Sequence, residues 1–312
     1  MSARTTRKWL RYGAIAVVAG GIVAATVLYL RHTTVAVLAP RGVIAAREKH
    51  LMVITVLLAA IVVIPVFAML FAFAWRYREG NSKKAKYSPE LDGSRVAETI
   101  WWLIPSAIIL ILSVVTWNSS HALDPYKPIA SSVKPLNVEV VALDWKWLFI
   151  YPQQNVASVN TLELPVNTPV NFEITADAPM NSFWIPQLGG QIYAMPGMST
   201  QLHLMASQVG NYYGSSANIS GSGFSGMNFM AHAVSSADFT RWVASAKKSP
   251  KNLTAASYTK LAAPSSNVLP TLYASADSSL YDTIVMKYMM PMPGGNSTMN
   301  MTAAQMQEMD MQ

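Results

Sequence analysis

The 312-residue chain contains no cysteine. That excludes disulfides, thiolate metal sites and a lipid-modified N-terminal cysteine, and it leaves the redox compartment open. Charge is also scarce. Asp, Glu, Lys and Arg make up 12% of the residues against 52% hydrophobic, a balance that leans toward a membrane protein. The histidines are His32, His50, His121, His203 and His232, and no two share a ligand-like spacing such as i, i+4. Each therefore reads as a structural or surface residue. A phosphate-cradling glycine loop, a nucleophile elbow and paired carboxylates in a plausible site are all missing, and no catalytic residue is assigned. Internal repeats are missing too.

What is present is organised by apolar runs. The net charge is +7, but the basic residues cluster beside those runs. They read as topology signals rather than as a nucleic-acid surface. Residues 1–12 carry Arg4, Arg7, Lys8 and Arg11, and an uncharged run follows at 13–30. Residues 1–39 are thus a leader, either a signal peptide with a long core or an uncleaved signal anchor. Small residues at Ala36 and Ala39 would permit cleavage.

A second run, 51–75, is long enough to cross a bilayer of about 30 Å. Pro65 inside it is tolerable in a membrane helix, and Trp75 and Tyr77 are interfacial anchors. Arg76, Arg78, Lys83, Lys84, Lys86 and Arg95 follow and place that loop in the cytoplasm. A third run, 96–117, returns. Residues 40–117 are therefore read as a transmembrane helical hairpin, with both outer ends outside.

A connector with Pro125, Pro128 and Pro135 leads into strand signals at 137–143, 144–149, 161–166, 169–175, 182–185, 191–195, 200–206 and 227–234. Many short strands with frequent turn signals predict an all-β sandwich or barrel over 118–235. The pattern turns helical from 236, with helices at 238–246, capped near Ser236, and 255–262, in an extension over 236–285. The tail, 286–312, holds nine methionines. It reads as a disordered biased segment, or as a binder of Cu(I) through soft thioethers.

The segment 213–227, YGSSANISGSGFSGM, organises the rest. Composition predicts a loop between the strands at 200–206 and 227–234. Its spacing resembles the copper-binding loop of cytochrome oxidase subunit II, in which two Cys, a His and a Met hold a dinuclear copper centre. The same spacing falls here on Ser216, Ser220, Phe224 and Met227, and the family's upstream His position falls on Asn181. Serine is a hard oxygen and phenylalanine offers no donor, so neither replaces these ligands for soft copper. Met227 read alone is a buried apolar side chain filling a core gap.

A copper frame without its ligands resembles subunit II of the quinol oxidase branch of the haem-copper oxidases, the cytochrome bo-type ubiquinol oxidases. Other segments carry the same resemblance: Glu98 shortly before Trp101, Trp102 and Pro105, the Trp145-Lys146-Trp147 motif, 181–186, and 188–198. The likeness runs from about Pro40 to about Met290. It implies a cupredoxin-like periplasmic domain without copper, and a hairpin that clamps subunit I in the inner membrane of a bacterium. Subunits III and IV and the lipid bilayer are the further implied partners.

The complex would oxidise ubiquinol, reduce O₂ to water and move protons outward, with haems and copper in subunit I and none in this chain. The resemblance places Glu98 at the entrance of a proton pathway into subunit I. Read alone, Glu98 is a solvated residue at a helix N-terminus, favoured there by the helix dipole. The tryptophan pair helps electrons toward copper in the cytochrome c branch; read alone, it is a packed aromatic cluster. The alternative to the whole reading is a membrane-anchored periplasmic copper-handling protein that uses its Met-rich tail.

Overall fold

The computed structural model describes residues 35–78 and 93–289, with isolated positions between 17 and 29. Most of the leader, the loop carrying Lys83, Lys84 and Lys86, and the tail from 290 onward lie outside the described residues.

Among the described residues two helices are long and apolar enough to cross a membrane: α1, Val43–Arg76, and α2, Arg95–Ala122. Each outruns the apolar segment that predicted it. Helix α1 starts at Val43 rather than 51, and α2 ends at Ala122 rather than 117. Apolar content measures only the part of a helix that lipid must cover. The extra stretch at the start of α1, about two turns, carries Arg47, Glu48, Lys49 and His50, and it is stitched to the β domain. Arg41 and Gly42 donate backbone hydrogen bonds to Gln187 O at 2.7 and 3.0 Å. Val43 donates to Met205 O at 3.3 Å and Ala45 to Leu188 O at 3.1 Å. The amides that a helix start leaves without intrahelical partners are thus satisfied by loops of the β domain. Gly42 is required there, because a Cβ would fall 2.5 Å from Leu188 O.

The β domain is a sandwich. Its strands are β1 Leu136–Leu143, β2 Lys146–Tyr151, β3 Val156–Val159, β4 Thr161–Pro165, β5 Val170–Ala176, β6 Asn181–Trp184, β7 Ile192–Ala194, β8 Thr200–Leu204, β9 Gly210–Ser216, β10 Asn228–Val234 and β11 Thr271–Tyr273. One sheet runs β11-β3-β2-β1-β5-β8 and the other β4-β10-β9-β6-β7. Strands β1 and β5, and β4 and β10, pair in parallel; the other pairs are antiparallel. This is the all-β, cupredoxin-like architecture that the strand pattern and the family resemblance led us to expect.

Alternation sorts the side chains of β1 and β2 into two cores. Val138, Val140, Ala142, Trp147, Phe149 and Tyr151 face the second sheet. Val141, Leu143, Leu148 and Ile150 face outward into a separate cluster. That outer cluster is closed by α4 Ala255–Ala262, β11 and α5 Leu280–Lys287 of the C-terminal extension, whose first helix, α3 Ser236–Ala246, packs against the inner core instead. Two polar ties hold the extension down. Lys146 is buried and its Nζ donates to Ala263 O at 2.8 Å and Ser265 Oγ at 2.6 Å. Asp177, 8% exposed, accepts from Tyr258 Oη at 2.7 Å, Lys287 Nζ at 2.6 Å and Tyr288 Oη at 2.5 Å.

Some expectations need correcting. The segment 213–227 is not loop throughout, since β9 runs to Ser216. Helix α3 starts at Ser236 rather than 238, and its cap is the adjacent Ser235, whose Oγ accepts from Asp238 N at 3.1 Å. Strands β3, β9 and β11 and helix α5 lie outside the predicted elements, and α5 extends past Met286, the first residue of the predicted tail.

One carboxylate makes the outer face sensitive to pH. Glu139 lies in register with Glu173 on the parallel neighbour. Burial first, then the charges of Glu173 and Asp282, push its pKa up to about 7. A carboxyl whose folded pKa is raised stabilises the fold below its unfolded value, and that contribution is lost as pH rises through the folded one. Glu139→Gln is therefore expected to leave thermal stability unchanged at pH 4 and raise it at pH 8. The gain is about 1 kcal/mol once solvent screening of this half-buried group is allowed for. Melting curves of the full chain in detergent at the two pH values check it.

Candidate functional site

Three of the five loop-linked positions meet in one place. Strand β6 supplies Asn181, the end of β9 supplies Ser216, and Met227 precedes β10. Their exposures are 1%, 5% and 1%. Antiparallel pairing of β6 with β9, with Phe183 opposite Ser216, brings the first two together across the sheet. Ser216 Oγ has one proton, with Asn181 Oδ1 at 3.0 Å and Asn218 O at 3.1 Å as acceptors. It accepts in turn from Ser182 N at 3.3 Å. Asn181 Nδ2 donates to Pro179 O at 2.7 Å, and Ser216 N to Met227 O at 3.3 Å. The side-chain groups of Asn181 and Ser216 are spent on one another and on nearby backbone, a neutral network inside the sandwich, beside which Ser182 Oγ is buried without a partner.

Ser220 and Phe224 stand further along. Phe224 opens a 3-10 turn, Phe224–Gly226, and is half-buried. Ser220 Oγ is buried without a hydrogen-bond partner. Among the described residues no hydrogen bond ties either to the Asn181–Ser216 pair. The donors on offer are an amide oxygen, two hydroxyls and one thioether. That set does not fit soft copper, which selects thiolate, thioether and imidazole.

Trp145 was not singled out as part of this loop, yet the loop is folded on it. A Cβ on Gly223 would fall 2.2 Å from the Trp145 ring, and one on Gly221, with φ +124°, 3.1 Å from it. Trp145 itself sits at φ +60°, in the left-handed region that bulky residues avoid. Packing against the glycines holds it there. The available sequence signal was the glycine spacing in SGSGFSG beside a lone aromatic turn residue. Trp147 is fully buried in the core at whose edge Trp145 packs, with Phe183 and Phe229 at 5.4 and 5.9 Å.

Glu98 is far from this loop. It lies in the first turn of α2, capped by Ser94, whose Oγ accepts from Ala97 N at 3.4 Å. It is exposed, and shares a shallow cleft with Arg95, Thr99, Trp102, Leu103 and Ser106. Of the methionine tail only Met286 and Met289 are described, both exposed.

Comparison with known proteins agrees across the chain. The family described as "Cytochrome C oxidase subunit II, periplasmic domain" matches residues 136–234, and the "COX Aromatic Rich Motif" matches 247–292. The chain is 52% identical over 249 residues to "Cytochrome bo(3) ubiquinol oxidase subunit 2" of Pseudomonas putida, covering 80% of this chain and 79% of that one. It is 47% identical over 283 residues to the protein so described in Pseudomonas aeruginosa, covering 88% and 85%. The solved periplasmic domain of subunit II of cytochrome oxidase from Bradyrhizobium japonicum aligns at 24% identity over 38% of this chain and 98% of that one, with a TM-score of 0.36.

Proposed function

Because the chain belongs to the ubiquinol oxidase subunit 2 family, we propose that it is subunit II of a proton-pumping quinol oxidase in a bacterial inner membrane. The observation that carries this reading is the loop. Where a cytochrome c oxidase needs soft ligands to take electrons from a soluble carrier, this chain has Asn181, Ser216, Ser220 and Phe224, with Met227 alone kept. Asn181 and Ser216 are consumed by mutual hydrogen bonding. A quinol delivers its electrons from within the bilayer, so a surface relay is unnecessary. The fold survives because it is a packed scaffold, not because it holds a metal.

On this reading the haems and copper belong to subunit I, and this chain supplies shape. The exposed apolar faces of α1 and α2 pack against subunit I and lipid, and subunits III and IV complete the complex. The β domain caps the periplasmic side. Glu98 is the proton-entry residue: its carboxylate stands at a helix N-terminus, where the dipole favours the charge, on a face open to a partner. Glu98→Gln keeps the shape and removes the proton-carrying group. It is expected to lower ubiquinol-driven turnover about tenfold or more while leaving haem content unchanged. Unchanged turnover would remove Glu98 from the pathway.

The function as a whole is tested by oxygen uptake of the complex that co-purifies with the tagged chain. Uptake with ubiquinol and none with reduced cytochrome c is the expected result. Uptake with cytochrome c would mean an electron route that this loop does not provide. A preparation with neither haem nor uptake would refute the oxidase reading.

A further inference from the structure

Strand β7 ends at Ala194, and the chain turns at once through Met195-Pro196-Gly197-Met198. Proline sets φ at the second position of the turn, and Gly197, at φ +72°, takes the left-handed third. Met198 N donates to Met195 O at 3.4 Å and closes it. The two methionines thus stand at the two ends of one turn, with Cα atoms within about 7 Å of each other.

A third methionine arrives from the end of α5. A Cβ on Gly197 would fall 3.2 Å from Tyr288 Cβ and 3.6 Å from the Tyr288 carbonyl carbon. The Tyr288 backbone therefore rests on the turn, and Met289 follows it there. This contact is held in place: Tyr288 Oη donates to Asp177 at 2.5 Å, and Met289 N donates to Met286 O at 3.0 Å. Met180 flanks the group. Asn181 pairs with Ala194 across β6 and β7, so the residue before the one neighbours the residue after the other.

Met198 and Met289 are 52% and 61% exposed, Met180 is 40% exposed and Met195 is half-buried. Single apolar side chains at a surface need no explanation, but these are gathered in one place. What they share, and leucine would lack, is a thioether sulfur on a long unbranched stem that adapts its shape. Thioethers are soft donors. They suit Cu(I) and not the hard cations that carboxylates and carbonyls hold. The one ammonium nearby, on Lys287, is paired with Asp177 at 2.6 Å, so its charge is balanced where a cation would approach.

We propose that Met195, Met198 and Met289 form a binding site for a single Cu(I) ion. The site uses none of the side chains at the copper-loop spacing, whose donors do not fit copper. It also differs from the methionines after Met289, which lie outside the described residues. A shell of neutral thioethers favours the cuprous state, so the ion is held as cargo and not as an electron relay. The inference goes beyond the oxidase reading and does not rest on it.

The test titrates the full chain in detergent with Cu(I), kept reduced by ascorbate, against the chromogenic chelator bicinchoninate. One tightly held Cu(I) per chain is expected. Replacing Met195, Met198 and Met289 together by leucine conserves volume and shape, so near-UV circular dichroism should stay as in the parent while that ion is lost. Met198→Leu alone, at an exposed position, should weaken binding about tenfold or more. A chain in which every methionine after Met289 is leucine should keep the ion, and its X-ray absorption spectrum should show copper surrounded by sulfur.

Unchanged affinity in both the triple and the Met198 variants overturns the proposal. Loss of the ion from the chain with the altered tail overturns it in favour of the tail. A shell of nitrogen or oxygen overturns it in favour of other side chains. A parent chain that yields all its Cu(I) as readily as the triple variant leaves these methionines as an apolar contact surface and overturns it too. Oxygen uptake by the complex decides the oxidase reading separately, so the two can fail independently.

Discussion

Trp147→Ala is expected to lower the stability of the β domain by about 3–5 kcal/mol. Trp147 is fully buried and is the largest side chain in the core between the sheets. It meets Phe183 and Phe229 edge-on, at interplanar angles of 70° and 66°. Those two rings stack on each other at 5.3 Å, and Phe149 adds an edge contact to each. Removing the indole deletes one wall of this cluster, and the two sheets cannot close the gap without breaking strand pairing. Trp145→Ala is the control. Its ring is half-buried over the glycines of the loop, and its loss is expected to cost about 1 kcal/mol. Chemical unfolding of the three proteins, followed by near-UV circular dichroism, separates them. Equal losses would mean that the two tryptophans are not divided between core and surface.

Asp177→Ala is expected to cost about 2–3 kcal/mol at pH 7 and to free the C-terminal extension. The carboxylate gathers Tyr258 from α4 and Lys287 and Tyr288 from the end of α5. Without it two hydroxyls lose their acceptor beneath the extension. The side chain of Lys287 is 57% exposed and its ammonium recovers water, so the loss stays below that of a fully buried ion pair.

Burial raises the Asp177 pKa, but hydrogen bonds from Lys287, Tyr288 and Tyr258 outweigh it, leaving the group below its ordinary value. The sign follows from linkage: a depressed carboxyl stabilises above its unfolded pKa, and that stability is lost as pH falls through the folded one. The variant and the parent should therefore differ at pH 7 and converge in strong acid. Hydrogen exchange confined to α4 and α5 reads the effect. A loss spread evenly over both sheets would mean that Asp177 is not a local tie.

Much of this architecture is written in the sequence at short range. The hairpin follows from two apolar runs, and strands β1, β5 and β10 from alternation. The missed elements share a physical reason. Strand β9 reads GNYYGSS, poor in strand formers, because Gly214 must leave room for Phe229 opposite: a Cβ there would fall 2.2 Å from the ring. Strands β3 and β11 are short, and they exist because they pair with each other and with β2. The continuous apolar run in β2 was legible, but its meaning was not. Both faces are covered, one by the second sheet and one by an extension about a hundred residues downstream. At the loop, the ligand positions came from spacing alone. The Asn181–Ser216 bond did not, since it depends on the register of β6 against β9.

Backbone hydrogen bonds tie the start of α1 to the sandwich at Gln187, Leu188 and Met205. On the proposed membrane reading, a bilayer thinner than the apolar run would be met by tilting the helix, and those ties would pass the tilt on to the β domain. Membrane thickness would thereby be converted into lateral position of the domain.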